Sequence, residues 1–426
     1  MRHTSRVSLF LSILLLGALG ASQAQAAAGD LDRSFGKAGK ALRDLGGDDY
    51  AADVVTQRDR KVLALVELSS REGVGVIRLL RNGRLDRRFG RNGLARVNVS
   101  GDEEPGGLDL GANGRIIASF TSDPSGADSA FGVARFLRNG NPDDSLDGDG
   151  VQTSGFGTGF NGATATDVAA GPGGDIVAAG WVDDNSGGGL EFAVARFNPG
   201  GELDSAFAGD GRQVTDFEGF SDLAFGVDVD SEGRVVAVGS ARQPGCCVEL
   251  LAVARYDAAG EPDSSFSGDG ELTSSVAPAG EDIVALPAGR IAVTGTVSGD
   301  FMVARLAEDG APDDTFSKDG SQTIDFVDAA DQAAAIAVAG GKIVVAGTAR
   351  TARRGRDFGV ARLNANGSLD RKFSEDGRRA IDLAKDEDNA LGVALDRTGD
   401  VVIGGSVQRR RQTDPGIVRV QGKGGR

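Results

Sequence analysis

The sequence predicts an all-β fold, a seven-bladed β-propeller in which an N-terminal strand completes the last blade. Three observations carry the prediction. A motif Asp-x-x-Phe-x-x-x-Gly recurs along the chain at the spacing of one four-stranded sheet. Between its copies, β-branched and small apolar runs alternate with glycine-centred turns. The last unit stops one strand short, while an extra copy of the motif stands near the N-terminus.

The motif occurs at Asp32/Phe35/Gly39, Asp86/Phe89/Gly93, Asp204/Phe207/Gly211, Asp263/Phe266/Gly270, Asp313/Phe316/Gly320 and Asp370/Phe373/Gly377. Asp143/Leu146/Gly150 is a seventh copy with Leu in place of Phe. Successive Asp positions lie 54, 57, 61, 59, 50 and 57 residues apart. That step is too long for a solenoid turn of one strand or one helix and suits a four-stranded blade. Eight residues before the Asp stands an arginine, at Arg78, Arg135, Arg196, Arg255, Arg305 and Arg362; Arg419 is a seventh with no Asp after it. A feature that occurs once per repeat reads as structural. The Asp accepts N–H bonds in the turn it opens, the Phe fills space between blades, and the Arg reaches the Asp across the hairpin.

Within the fourth unit, residues 224–229, 235–239 and 251–256 read as three strands, and a fourth begins after Gly270. The turns between them include Glu232-Gly233 and Ala259-Gly260, where glycine supplies a positive φ. No sustained apolar period of 3.6 follows the N-terminal segment, and 66 glycines would be costly in helices. The Ala/Gly/Val-rich first strand, repeated as Leu391-Gly392-Val393-Ala394-Leu395, suits a crowded axis. If it is innermost, the last unit ends near Val420 after three strands, and residues 31–45 supply the fourth. The two termini then close the ring and remove both exposed edges. An open β-solenoid is the alternative architecture.

Gly-x-Leu-Asp-x-x-Phe-Gly-x-x-Gly, Asp-Gly-x-Ile-Val-Val-Ala-Gly and Phe-x-Val-Ala-Arg-Phe together resemble the delta-60 repeat of bacterial secreted and surface proteins, over residues 29–420. Leu146 for Phe, and Pro142, Pro262 and Pro312 for Leu, depart from it. The family is similar in layout to NHL-type propellers. The resemblance implies the fold and a secreted or surface setting, and it carries no catalytic motif to transfer.

Residues 1–26 read as a signal peptide: Arg2 and Arg6 precede an apolar run over 7–19, and Ala24-Gln25-Ala26 offers a cleavage site. The expectation is a secreted or extracytoplasmic chain, in the periplasm or at the cell surface, with one propeller over 27–426 and no transmembrane span. Removing that segment takes away two arginines and no acids, so the formal charge goes from −16 to −18. Such a charge argues against nucleic acid as a partner. The one histidine, His3, lies in the leader, which excludes histidine-based triads and metal sites in the rest. Cys246 and Cys247 are adjacent and offer no ordinary disulfide framework.

Unit length varies between the second and third strands and before the innermost strand, two connections that open on one face of a propeller. Function is expected on that loop face. There, Arg350, Arg353, Arg354 and Arg356 in one blade and Arg409, Arg410 and Arg411 in the next offer bidentate donors to sulfate, phosphate or carboxylate groups. Solvated loops balancing nearby acids are the plainer reading of the same residues. Trp181, in an equivalent loop beside Asp183, Asp184 and Asn185, has the pairing that stacks on and hydrogen-bonds a sugar, or else it simply packs.

No catalytic or metal-ligating residue and no cofactor is assigned. Calcium is weighed at Asp147-Gly148-Asp149-Gly150 and over 228–233. The latter opens like an EF-hand loop, but position twelve is Gly239 where a bidentate Glu is required. The functional expectation is a non-catalytic binding or scaffold protein for an anionic cell-envelope polymer, a glycan or a protein. The alternative is a carboxylate-dependent glycan hydrolase or lyase. A quinone-dependent dehydrogenase fails on the near absence of Trp.

Overall fold

Segments such as Val62–Glu67 and Val74–Leu79 are apolar at nearly every position, so both faces of each strand must be covered. Radial stacking of sheets does this, because each blade is sandwiched between two neighbours. In the computed structural model the described residues are 27–423, without 70–72, 98, 100–101, 124–127, 185–188, 218–220, 243–247, 327–329, 352–354, 385 and 410–411. The proposed leader over 1–26, and Cys246, Cys247, Arg353, Arg354, Arg410 and Arg411, lie outside them.

The chain is a seven-bladed β-propeller of seven four-stranded antiparallel sheets. The innermost strands of blades 1 to 7 are Ala51–Thr56, Asp102–Leu110, Phe160–Ala170, Asp222–Val229, Gly280–Ala285, Gln332–Ala339 and Asp388–Leu395. Six blades run outward in sequence order. Blade 7 takes its outer strand, Lys40–Leu42, from the N-terminal end, paired antiparallel with Gln412–Val420. An isolated bridge joins Leu31 to Val420, and Gly29 N–H and Asp32 N–H donate to the Gln421 and Arg419 carbonyls, each at 2.8 Å. The closing segment is therefore a three-residue strand preceded by a bridge, shorter than the 31–45 span predicted. Among the described residues no helix is long and apolar enough to cross a membrane.

The repeated residues bind the blades together. The motif phenylalanines Phe35, Phe89, Phe207, Phe266, Phe316 and Phe373, and Leu146 in the remaining repeat, are all fully buried. Phe89 packs with Leu63, Leu65 and Val76 of blade 1 and with Ile116 and Ala118 of blade 2. Phe266 sits among Val236 and Val253 of blade 4 and Ile283, Ile291 and Val293 of blade 5. Phe316 lies against Val303 and Ala292 of blade 5 and Ile336, Ile343 and Val345 of blade 6, and Phe373 against Val344 and Val360 of blade 6 and Val393, Val401 and Ile403 of blade 7. Burying each ring contributes roughly 1.5–3 kcal/mol. The residue after each motif aromatic, or after Leu146, donates its N–H to a turn of the following blade. The seven bonds, from Gly36 to Asn82 through to Ser374 to Ala28, measure 2.6–2.9 Å. Since Ala28 belongs to the closing segment, this girdle is continuous around the ring.

Six of the arginines reach the Asp eight residues on, at 2.8–3.0 Å from Nε to Oδ2, and Arg419 Nη1 lies 3.7 Å from Asp32 of the closing segment. The arginine Nη1 also donates across to the next blade, as from Arg196 to the Ala258 carbonyl at 2.7 Å and from Arg255 to that of Glu308 at 2.6 Å. In six repeats the guanidinium lies 4.4–4.9 Å over the motif ring, nearest for Arg78 over Phe89 and farthest for Arg305 over Phe316. Burial opposes ionisation of these carboxyls. Hydroxyl, backbone and cationic donors outweigh it and hold Asp86, Asp263, Asp313 and Asp370 below the usual carboxylate range.

Candidate functional site at the axial channel

Every innermost strand carries a bulge in its pairing with the second strand. A bulge inserts an unpaired residue and re-aims its side chain. Here the inserted residues, Ala52, Gly106, Thr166, Phe225, Glu281, Ala334 and Leu391, all line the axial channel. Side-chain identity at this ring differs in almost every blade, in contrast to the repeated positions of the girdle.

The next residue along each strand forms a second ring: Asp53, Gly107, Asp167, Gly226, Asp282, Ala335 and Gly392. The carboxylates staple one blade to the following one. Asp53 accepts Leu108 N–H at 3.0 Å, Asp167 accepts Val227 N–H at 2.8 Å, and Asp282 accepts Ile336 N–H at 2.8 Å. The preceding blade must leave room. A Cβ at Gly107 would collide with Asp167 Oδ1, and one at Gly392 with Asp53 Oδ1. Two residues further along, Asp109 and Asp228 do the same for Ala170 N–H and Ala285 N–H, both at 2.8 Å. Burial, reinforced by mutual repulsion, pushes Asp53 up to about 8 and Asp282 up to about 7, and raises Asp167 well above the usual range.

Toward the loop face the channel widens into a cavity of about 610 Å³, set off-axis over blades 5 to 7. Its wall carries six hydroxyl and amide side chains, Thr296, Gln332, Thr348, Asn389, Ser406 and Thr413, set in a lining that is more apolar than polar, with Ala333, Ala334, Ala390, Leu391, Tyr50, Glu281 and Arg356 completing it. Asn389 Nδ2 donates to Ser406 Oγ at 3.3 Å and Thr348 Oγ1 to Asn389 Oδ1 at 3.4 Å, so these groups hold one another in place. Burial raises the Glu281 carboxyl.

The structure brings part of the predicted basic patch to this mouth. Arg350 and Arg356 are paired in register at the tip of one hairpin, both exposed, and Arg356 lines the cavity. Arg409, at the tip of the blade 7 hairpin, turns aside to Asp414 at 3.1 Å. Trp181 lies on the strand Ile176–Asp184 and not in a loop. Its ring meets Phe225 edge-on, with centroids 6.2 Å apart, so it supports the bulge ring and is half-buried. The motif phenylalanines stand apart from the mouth: with no exposed surface, Phe89, Phe316 and Phe373, like Phe35, Phe207 and Phe266, offer nothing to a ligand and serve as packing between blades. The acidic turns weighed for calcium are engaged by the protein itself. Asp228 accepts Val229 and Ala285 N–H, Asp230 accepts Glu232 N–H, Arg234 N–H and the Arg234 guanidinium, and Asp149 accepts Val151 N–H.

Sequence reasoning missed the bulge ring and the polar mouth. The signal available was a two-residue irregularity in an otherwise alternating strand, which shows only when the seven repeats are aligned on their Arg and Asp.

No curated protein matches the sequence. Among solved structures, the chain is similar to a Dyadobacter fermentans protein of unknown function, at 10% identity and a TM-score of 0.43 over 90% of this chain and 98% of that one. It is also similar to a Thermus thermophilus protein provisionally described as an oxidoreductase (glucose dehydrogenase), at 14% identity and a TM-score of 0.41 over 90% and 100%. Three stretches, residues 172–207, 287–316 and 341–373, match a family described as a domain of unknown function (DUF5122) beta-propeller, which together with the seven blades supports a propeller repeat family.

Proposed function

We propose that this chain is a non-catalytic binding propeller, working outside the cytoplasm, that takes a hydroxyl-rich or anionic polymer such as a cell-envelope glycan at the loop-face mouth of its axial channel. The observation that carries the reading is the wall of that mouth. Hydroxyl and amide groups from three adjacent blades, together with the Arg356 guanidinium, converge on one cavity. Polar groups fixed by packing around a concave site give orientation and specificity to a polar ligand. The exposed Arg350 at the same hairpin tip extends the positive edge.

The hydrolase alternative needs two carboxyls flanking one bond. Glu281 is the one carboxyl among the residues that line the mouth. The next ones, Asp53, Asp167 and Asp282, lie in the channel with oxygens taken by backbone N–H groups of neighbouring blades.

Binding to an array of glycans and teichoic acids tests the proposal, comparing the wild type with Arg356→Ala and Asn389→Ala. Loss of one charge-assisted hydrogen bond, about 1.5–3 kcal/mol, weakens affinity by about tenfold or more. Identical array profiles for the three proteins would end the proposal. Release of new reducing ends from a bound glycan would move the assignment to the hydrolase.

A further inference from the structure

On the loop face, where one blade meets the next, three acidic side chains converge at each of three junctions: Glu191, Asp216 and Asp222; Asp300, Asp325 and Asp331; Asp357, Asp382 and Asp388. In each group the ligand-type oxygens lie within 4.8 Å of one another. The positions are equivalent in the repeat. The first residue opens the third strand, the second directly follows the outer strand, and the third stands two residues before the last paired residue ahead of the next blade's bulge.

Acidic clusters are common on an acidic protein, and three further observations separate these from chance. First, Asp222 and Asp388 are 1% and 0% exposed, yet each has an Oδ1 that accepts no hydrogen bond. Their Oδ2 atoms are anchored by Phe217 N–H at 2.8 Å and Leu383 N–H at 2.6 Å. The Arg242 N–H nearest Asp222 gives its bond to the Ser221 carbonyl instead. Glu191 Oε2 is buried and equally without a donor. A buried carboxylate oxygen left unsatisfied is costly, and in native structures such a group points to an ion or water.

Second, at six of the seven junctions acids occupy either all three of these positions or none of them. The junction of blades 2 and 3 has Ala130, Gly155 and Ala163, and that of blades 4 and 5 has Leu250, Ser275 and Pro278. At the junction of blades 1 and 2, Glu103 faces Gly73. Third, the junction of blades 7 and 1 has a full acidic set, Asp414, Asp44 and Asp49, and there the chain supplies its own cation: Arg409 Nη1 lies 3.1 Å from Asp414 Oδ2.

We propose that the junctions of blades 3–4 and 6–7 are calcium sites that clamp adjacent blades on the loop face; at blades 5–6 the equivalent Asp331 already accepts Arg350 N–H at 2.8 Å and Phe326 N–H at 3.0 Å on its two oxygens. The donors are all carboxylate oxygens, which suit a hard cation and give no reason for zinc or copper. An oxygen shell of radius 2.3–2.6 Å keeps its ligand atoms within about 5 Å of one another, and the oxygens of each group lie within 4.8 Å. Each site takes two ligands from one blade and one from the next, so occupancy locks blade to blade where the girdle of the opposite face does not reach.

Calorimetry and thermal unfolding of the chelator-stripped full chain, with calcium and separately with magnesium, test the assignment. Calcium is expected to bind at two equivalents and raise the melting temperature by several degrees. Asp216→Ala and Asp382→Ala change exposed ligands, so the fold is retained by circular dichroism, and each removes one equivalent, whereas Asp325→Ala removes none. No heat and no shift with calcium, or a stoichiometry untouched by the first two variants, would overturn the proposal. An equal response to magnesium would overturn the choice of calcium.

Discussion

The two faces of the propeller treat the same residue type in opposite ways. On the hairpin face every motif Asp meets an arginine of its own repeat, 2.8–3.0 Å away in six blades, and the carboxyls of Asp86, Asp263, Asp313 and Asp370 are held low. At the loop-face junctions burial and neighbouring acids push Glu191 up to about 7, Asp222 to about 6 and Asp388 to about 7. Burial alone raises a carboxyl everywhere. The hydroxyls, turn N–H groups and cations gathered around the hairpin-face carboxyls reverse the net shift there. One face is thus self-sufficient, and the other leaves buried oxygens of Glu191, Asp222 and Asp388 without a donor.

The self-sufficient face should hold most of the stability, and the largest effect is expected where its ring is cut. Excising residues 27–45 removes the outer strand of blade 7, the fully buried Phe35 and the Ala28 carbonyl that closes the girdle. Urea unfolding of that variant should lose its cooperative transition or show a far lower midpoint. A midpoint like that of the wild type would mean the blades need no closure. Next comes the inter-blade core: Phe266→Ala should cost about 3–5 kcal/mol, from lost burial plus the cavity left between blades 4 and 5. A loss below about 1 kcal/mol would contradict its packing.

Electrostatic effects are smaller and run in opposite directions with pH. The lowered carboxyls of the hairpin face contribute stability above about pH 4, and lose it as pH falls through their folded values. The axial carboxyls are raised, Asp53 to about 8 and Asp282 to about 7, so the folded chain keeps protons that the unfolded chain releases near pH 4. Their contribution is complete below about pH 4 and is lost as pH rises toward about 8. With a chelator present, the urea midpoint should therefore fall between about pH 5 and pH 8.5. Asp53→Asn with Asp282→Asn should flatten the fall, since an amide has no proton to lose. Asp109, Asp228 and Glu281, raised by burial in the same channel, leave a residual slope. An unchanged slope in the double variant would show that the axial carboxyls titrate normally.

What the sequence revealed divides along the same line. The Asp, Phe and Arg of the hairpin face recur at near-constant spacing, so the blade count, the strand order and the completion of blade 7 by the N-terminal segment followed from the chain alone. The loop-face groups assemble from residues far apart in sequence, such as Asp357 and Asp388, that become neighbours only when one blade stacks on another. No local motif marks them. The polar mouth is assembled the same way from blades 5, 6 and 7 with Tyr50. Arg356 was reached by counting charge, whereas Thr348, Asn389 and Ser406 look like ordinary strand residues until adjacent blades bring them around one cavity. Trp181 was misplaced because the strand continues through Asp183 and Asp184, acids that read as the start of a loop.

The smallest expected effect concerns the one repeat that departs from the pattern. Leu146 is fully buried where six repeats have Phe, and Arg135, which bonds Asp143 at 2.8 Å and the Pro199 carbonyl at 2.7 Å, has no motif ring beneath it. A Cβ at Gly201 would lie 3.1 Å from the Leu146 side chain, the same neighbourhood in which Gly260 approaches Phe207 and Gly310 approaches Phe266. The backbone of the third repeat therefore already has the shape that admits a ring. Leu146→Phe should add a guanidinium–ring contact and stabilise the chain by about 0.5–1 kcal/mol. Urea unfolding measures the change. A loss of about 1–3 kcal/mol, the usual result of overpacking, would show that the space between blades 2 and 3 has closed around the smaller side chain.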